Sequence, residues 1–222
     1  MVKYEEIAQM IDHSLLRPML TDKEIEEGCR LADEYQVATV CVRPCDVTLA
    51  KKILKDSKVL VTTVIGFPHG TTTTNCKVFE AKEAIENGCK ELDVVCNIGK
   101  VKSHDWDYVK KDLKAVIDLA HANNVKVKVI FENCYLCEEE IIELCKICNE
   151  LDADWIKTST GFGTGGAEDK DIKIMRQYAK PSVQVKAAGG IRTLERAIEI
   201  KSLGCTRFGC TATKGILERL KP

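Results

Sequence analysis

Neither sign of charge is in excess in this 222-residue sequence: 33 lysines and arginines face 34 aspartates and glutamates, a formal net charge of -1. A general nucleic-acid binder carries a basic surplus, and so does a chain drawn to an anionic membrane surface, so neither partner is expected. Long hydrophobic runs are missing as well. The opening MVKYEEIAQMID puts acids ahead of any apolar stretch, and nowhere do twenty apolar residues follow one another. That pattern argues against a secretory signal or a spanning helix and makes a cytoplasmic location the expectation. No linker, low-complexity segment or break in composition divides the chain, which predicts one domain over residues 1–222. HExxH and GxSxG are absent. His13 follows Asp12, where a general-base or metal role is conceivable, but with His69, His104 and His121 it forms no ligand spacing, so no metal is expected.

Cysteine, by contrast, is plentiful, with twelve in the chain. A reducing compartment disfavours structural disulfides. Most of the cysteines sit in apolar patterns, such as Cys41 in TVCV and Cys96 in DVVC, where a thiol behaves as a small hydrophobe. Cys134-x-x-Cys137 and Cys145-x-x-Cys148 have the spacing of zinc ligands, but only seven residues separate them. The second pair lies in the helical pattern EEEIIELCKICNEL, where three-residue spacing puts both thiols on one packed face, and packing is the preferred reading.

Short β-branched runs alternate with amphipathic stretches throughout. The runs at 38–42, 59–65, 92–96, 125–131, 155–158, 183–188 and 207–211 predict buried parallel strands. Helices are predicted at 22–35, 47–55, 76–86, 108–123, 138–150, 168–177, 194–203 and 212–220. Thr21-Asp22-Lys23-Glu24 is a capping box, and the glycines of Asn87-Gly88 and Leu203-Gly204 end helices. An eighth strand is needed ahead of the Thr21 helix, and Asp12-His13-Ser14-Leu15 is the candidate, with a short helix from Tyr4 to Met10 before it. Eight strand–helix units favour an α/β architecture, a single (β/α)8 TIM barrel, over an open doubly wound sheet.

In such a barrel, chemistry belongs at the C-terminal ends of the strands. Lys157 stands in a strand among apolar neighbours, just ahead of a glycine-rich loop, and Lys186 has the same place one unit later. Asp93 and Lys128 are the other charged residues late in strands. If both of the first two lysines point inward, burial and like charge favour a neutral amine on one of them. The effect is large enough to matter. At pH 7 only about one ordinary lysine in 2,500 is neutral, and a pKa lowered to about 7 raises that fraction about a thousandfold. Asp93 is placed to relay protons or to hold the second lysine.

Three glycine-bearing segments look ready to bind an anion: Gly161 to Gly166, Gly189-Gly190 and Gly209-Cys210-Thr211, the last directly before a helix. The first also spells G-x-G-x-x-G, but the next strand, VQVKAA, ends without the acid that would hold a ribose, and too little chain follows for a dinucleotide fold. A nicotinamide-dependent oxidoreductase and a non-catalytic sugar-phosphate sensor are the competing readings.

Taken together, several segments resemble the deoxyribose-phosphate aldolase family along essentially the full length. They are Asp12-His13-Ser14-Leu15-Leu16, Val40-Cys41-Val42, Ile65 to Gly70, Glu91 to Val95, Asn97-Ile98-Gly99, Lys128 to Glu132, Lys157 to Phe162 and Lys186 to Arg192. The resemblance implies Lys157 as the Schiff-base lysine, Lys186 as the neighbour that lowers its pKa and moves protons, and Asp93 as the completion of the relay. It also implies reversible cleavage of 2-deoxy-D-ribose 5-phosphate to acetaldehyde and D-glyceraldehyde 3-phosphate without metal or cofactor. Asp12, Cys41, Lys128, Thr158, Gly161, Gly189, Gly190, Gly209 and Thr211 are the substrate-binding candidates, with a sugar phosphate and aldehydes as partners and a homo-oligomer left open. Three positions depart from the family pattern. Ala212 leaves the phosphate turn one hydroxyl short, Asn133-Cys134-Tyr135 replaces a threonine-glycine type segment, and Arg43 replaces a polar residue.

Overall fold

The computed structural model describes residues 2–221, so the first and last residues of the expected 1–222 domain lie outside the described residues. Eight parallel strands close into one barrel in sequence order: β1 (Ile11–Leu15), β2 (Thr39–Val42), β3 (Leu60–Ile65), β4 (Glu91–Val95), β5 (Lys126–Ile130), β6 (Trp155–Lys157), β7 (Gln184–Ala188) and β8 (Cys205–Cys210). The seam joins β1 to β8, with Ile11 opposite Phe208 and Asp12 opposite Gly209. Closure rules out the open dinucleotide-binding sheet.

Around the barrel run α1 (Tyr4–Ala8), α2 (Asp22–Glu34), α3 (Val47–Ile53), α4 (Thr74–Glu86), α5 (Ile98–Lys102), α6 (Trp106–Ala122), α7 (Glu138–Glu150), α8 (Asp169–Tyr178), α9 (Leu194–Ser202) and α10 (Thr213–Leu217). The capping box at α2 is present, Glu24 Oε2 accepting from the Thr21 amide at 2.8 Å. Gly88 and Gly204 follow their helices with φ of 100° and 94°, the left-handed conformation that ends a helix without a Cβ clash. The one-and-a-half-turn helix α5 was not expected. Gly99 weakens its pattern, and Asn97 starts it by accepting from the Lys100 amide through its side chain. The last expected helix, 212–220, is instead five residues of α10 followed by a 3-10 turn at Glu218–Leu220. No helix among the described residues is long and apolar enough to cross a membrane.

Strand period decides where the core lies. Val40 and Val42, Leu92 and Val94, Val127 and Val129, and Val185 and Ala187 pack outward into the apolar layer beneath the helices. Their alternates Cys41, Glu91, Asp93, Lys128 and Lys186 turn into the barrel. The interior is therefore largely charged where branched aliphatic layers are usual. One further charged pair is buried outside the barrel. Lys77 of α4 donates to Asp112 Oδ2 of α6 at 2.6 Å and to the Val95 carbonyl at 2.8 Å. The other oxygen of Asp112 accepts from the Thr74 hydroxyl at 2.8 Å. Cys145 and Cys148 are buried on α7, whereas Cys134 is half-buried and Cys137 exposed.

Candidate active site

Lys157 and Lys186 are Cα partners on adjoining strands, so their side chains leave the wall on the same side. Both reach a single atom: each Nζ donates to Asp93 Oδ2 at 2.7 Å. The two nitrogens thus stand no more than twice that distance apart. Asp93 Oδ1 accepts from Lys128 at 2.8 Å. Lys128 also reaches Glu91 Oε2 at 2.5 Å and Asp12 Oδ2 at 3.4 Å. Asp12 accepts from Lys186 through Oδ2 and from Arg207 through Oδ1, the latter at 2.7 Å. Arg207 spans to Glu91 at 3.2 and 3.3 Å and lies over the Trp155 ring, 4.9 Å from its centroid.

Four cations are buried here with three carboxylates. Within such a network, the proton that costs most to keep belongs to the least compensated cation. Lys128 touches three carboxylates and Lys186 and Arg207 two each, whereas Lys157 touches only Asp93, which it shares. The pKa directions follow this order. Burial depresses the Lys157 ammonium, and the Lys186 charge adds to the effect, against the opposing pull of Asp93. For Lys186, burial is outweighed by Asp12 and Asp93, and the group is raised. Lys128 and Arg207 are raised in the same way by their carboxylates. Burial pushes the Asp93 carboxyl up, but Lys128, Lys157 and Lys186 overcome it and hold it well below the usual range. Asp12 is likewise held low.

A cavity of about 260 Å³ opens above this network at the C-terminal end of the strands. Of the seven charged groups, Lys157 alone lines it. Gly161, Gly189, Gly190, Gly209 and Thr211 line it too, so the three glycine-bearing segments meet at one place. Gly189 has a φ of 87°, and a Cβ there would lie 2.8 Å from the Gly166 Cα, so glycine lets the loops after β6 and β7 touch backbone to backbone. The β6 loop is also held from β5. Glu132, itself left-handed at a φ of 59°, accepts from the Thr160 amide at 3.0 Å and from its hydroxyl. Beyond it, Phe162 meets Phe67 edge-on, with ring centroids 5.3 Å apart.

The other four binding candidates are buried and do not line the cavity itself. Asp12 and Lys128 are fully buried and connect to Lys157, the group at the cavity, through Lys186 and Asp93. Thr158 is buried too, its hydroxyl accepting from the Ala188 amide at 3.1 Å, and it ties β6 to β7. Burial, with Asp93 adding to it, pushes the Cys41 thiol up to about 12, so it is a protonated wall residue at neutral pH. His13 turns away from the lysines and bonds Thr213 Oγ1 at 2.8 Å through Nδ1. Burial depresses His13 to about 4, which keeps it neutral. Sequence reasoning missed Glu91 and Arg207 as members of the network, and Ser14, Arg17 and Arg192 as part of the cavity lining. The signal for Glu91 was available: it stands two residues before Asp93 in ELDVV, on the same face of the strand.

A closed α/β barrel with a depressed, buried lysine at its mouth belongs to the chemistry of carbonyl compounds, which an amine can attack. The chain belongs to the DeoC/LacD family of aldolases, whose family model matches residues 6–212. It is 49% identical to the deoxyribose-phosphate aldolase of Rhodopirellula baltica over 97% of this chain and 89% of that one. To the enzyme of the same name from Thermococcus gammatolerans it is 49% identical over 96% of each chain. Among solved structures, the tetrameric deoxyribose phosphate aldolase of Aeropyrum pernix superimposes with a TM-score of 0.91 at 29% identity, over 97% of this chain and 91% of that one.

Proposed function

We propose that this chain is a deoxyribose-phosphate aldolase that cleaves 2-deoxy-D-ribose 5-phosphate reversibly, with Lys157 as the imine-forming residue. The observation that carries the reading is that Lys157 is at once the least compensated cation of a buried network and the only member of it that lines the cavity. A neutral Lys157 Nζ adds to the aldehyde carbon C1 of the open-chain sugar, and loss of water gives an iminium. Removal of the C3 hydroxyl proton lets the C2–C3 electron pair move toward the iminium nitrogen. The products are glyceraldehyde 3-phosphate and an enamine on Lys157. Protonation at C2 and hydrolysis release acetaldehyde, using one water for the one expelled. Lys186, hydrogen-bonded to both Asp12 and Asp93, is the proton-moving neighbour, and Asp93 links it to Lys157.

The phosphate is assigned to the glycine-bearing rim at Gly161, Gly189, Gly190, Gly209 and Thr211. Twelve unpaired thiols, eight of them buried, support a reducing cytoplasm as the setting. The tetrameric relative supports self-association, which light scattering reads. The decisive experiment is incubation with acetaldehyde and borohydride followed by peptide mass spectrometry. A reduced two-carbon adduct on Lys157 is expected. An adduct elsewhere removes the mechanism, and no adduct alongside tight phosphate-ester binding points to a sensor.

A further inference from the structure

The cavity occupies only one side of the barrel mouth. Every residue that lines it belongs to β6, β7, β8 or β1, or to the loop that follows one of them. The carboxylate that Lys157 reaches stands on the other side, because Asp93 belongs to β4 and is fully buried. β4 and β5 lie between β3 and β6, and the loops after those outer strands meet. Phe67 from the β3 loop and Phe162 from the β6 loop touch edge-on, with centroids 5.3 Å apart, so the rings join over the two strands between them. Each ring is anchored through a nearby backbone amide to a carboxylate. Glu80 of α4 accepts from the Gly66 amide at 2.7 Å, next to Phe67. Glu132 holds Thr160, whose hydroxyl accepts from the Phe162 amide at 3.0 Å. The β3 loop also lies directly on the end of β4: a Cβ at Gly70 would lie 1.9 Å from the Cys96 carbonyl oxygen, so only glycine permits that approach. Phe162 lines the cavity as well, which makes it the boundary between the covered side and the open one.

We infer that Phe67 and Phe162 form a water-excluding roof over the β4–β5 side of the mouth, and that both are positioning residues for the reaction at Lys157. The inference rests on the proposed aldolase reading for the identity of that reaction, and on the ring contact and the one-sided cavity for the roof itself. Lys157 is faced by Asp93 from β4, by Lys186 from β7 and by the Cys41 thiol from β2, and burial is the largest cause of its depression. Water let in over Asp93 would screen these charges and solvate the ammonium, so the neutral amine would be lost. The open side has a different task. It admits the sugar and the single water that the cycle expels and takes back, while the charged network stays dry. A phenyl ring suits such a seal, since it covers a large area and carries no polar tip that would hold water.

The test uses the full chain and its Phe67→Ala, Phe162→Ala, double alanine and Phe162→Leu variants. Competitive acetylation with acetic anhydride across a range of pH, read peptide by peptide in a mass spectrometer, gives the titration midpoint of Lys157 without any need for turnover. Each single alanine variant is expected to move that midpoint up by about one pH unit. Losing either ring breaks the same contact, so the double variant should move little further than the larger single shift. Phe162→Leu keeps an apolar cover and should move less than half as far. A double variant whose midpoint matches that of the parent overturns the roof, and single shifts that simply add in the double variant overturn the pairing of the rings. Activity gives a second reading. At pH 7, kcat/KM for 2-deoxyribose 5-phosphate should fall about tenfold in each alanine variant and recover as the pH is raised. A loss of equal size at every pH marks a merely structural role and also overturns the inference. If the parent cleaves no sugar but the midpoint shifts are seen, the aldolase reading fails and the roof stands.

Discussion

Lys77 and Lys157 are both buried lysines, and each donates to an aspartate at nearly the same distance, 2.6 and 2.7 Å. One ties two helices together, and the other faces a cavity. Burial and partner type do not distinguish them; stoichiometry does. Lys77 has Asp112 to itself and adds the Val95 carbonyl, so one charge meets one charge. Lys157 shares Asp93 with Lys128 and Lys186, inside a cluster of four cations and three carboxylates. A buried surplus charge can be relieved by releasing a proton, and Lys157 is the group with least to lose. The fold thus makes a structural strut and the proposed imine-forming residue from the same residue type by supplying or withholding one carboxylate.

The comparison breaks most sharply at Lys157. Lys157→Leu is expected to lower kcat by about 10^4-fold or more, with a thermal midpoint close to that of the parent, because the cluster then balances at three charges of each sign. Turnover near the parent level in that variant, measured on a purified and folded sample, removes Lys157 from the reaction. Lys77→Met should behave in the opposite way, costing about 3–5 kcal/mol of stability by leaving Asp112 uncompensated, while kcat of the folded enzyme holds. Lys77→Met combined with Asp112→Leu should regain much of that loss in a denaturant titration. A double variant no more stable than the single one contradicts simple charge pairing.

Lys186→Leu tests the surplus itself. Without the second cation the Lys157 ammonium loses one of the two causes of its depression, so its neutral fraction at pH 7 falls and the rate with it, on the order of 10²-fold. The remaining rate should then climb with pH through the alkaline range, and a flat profile there contradicts the argument. The smallest effect belongs to His13, a buried titratable group paired only with a hydroxyl. Its folded value is depressed to about 4, below an unfolded value near 6.5. Between those two values the unfolded chain binds a proton that the folded chain refuses. The stability is therefore complete above about pH 6.5 and is lost as pH falls toward 4, about 2 kcal/mol of it by pH 5. Urea midpoints of His13→Gln and the parent should converge on acidification from pH 7 to 5, and parallel curves would show that His13 does not carry the acid sensitivity.

Much of this arrangement could be read in advance. Alternation in runs such as LDVV and VQVKAA marked strands, and a lysine in each of two consecutive strands at matching depth predicted neighbours. What escaped was membership. Arg207 lies in a strand that begins at Cys205, two residues earlier than its apolar pattern suggested, so its side chain was not assigned to the barrel interior. Glu91 lies one residue ahead of the run at 92–96, outside the predicted strand, whereas the strand itself begins at Glu91. Arg17 sits in a loop with no periodicity at all, and only barrel closure brings it beside the β8 turn. The burial of Asp12, Cys41, Lys128 and Thr158 shows the converse limit: position along a strand does not report depth below the mouth.

By itself the amino-acid order determined which residues alternate, where helices begin and end, and that two lysines and an aspartate stand late in three different strands. Those are local properties, set by side-chain period and backbone conformational preference over a few residues. Tertiary structure alone decided how many carboxylates each cation meets, because that number depends on which strands become neighbours and how far each side chain reaches across the barrel. Electrostatic energy is a sum over such distant pairs in a medium without water, so the depression of the Lys157 ammonium came into being only when the barrel closed.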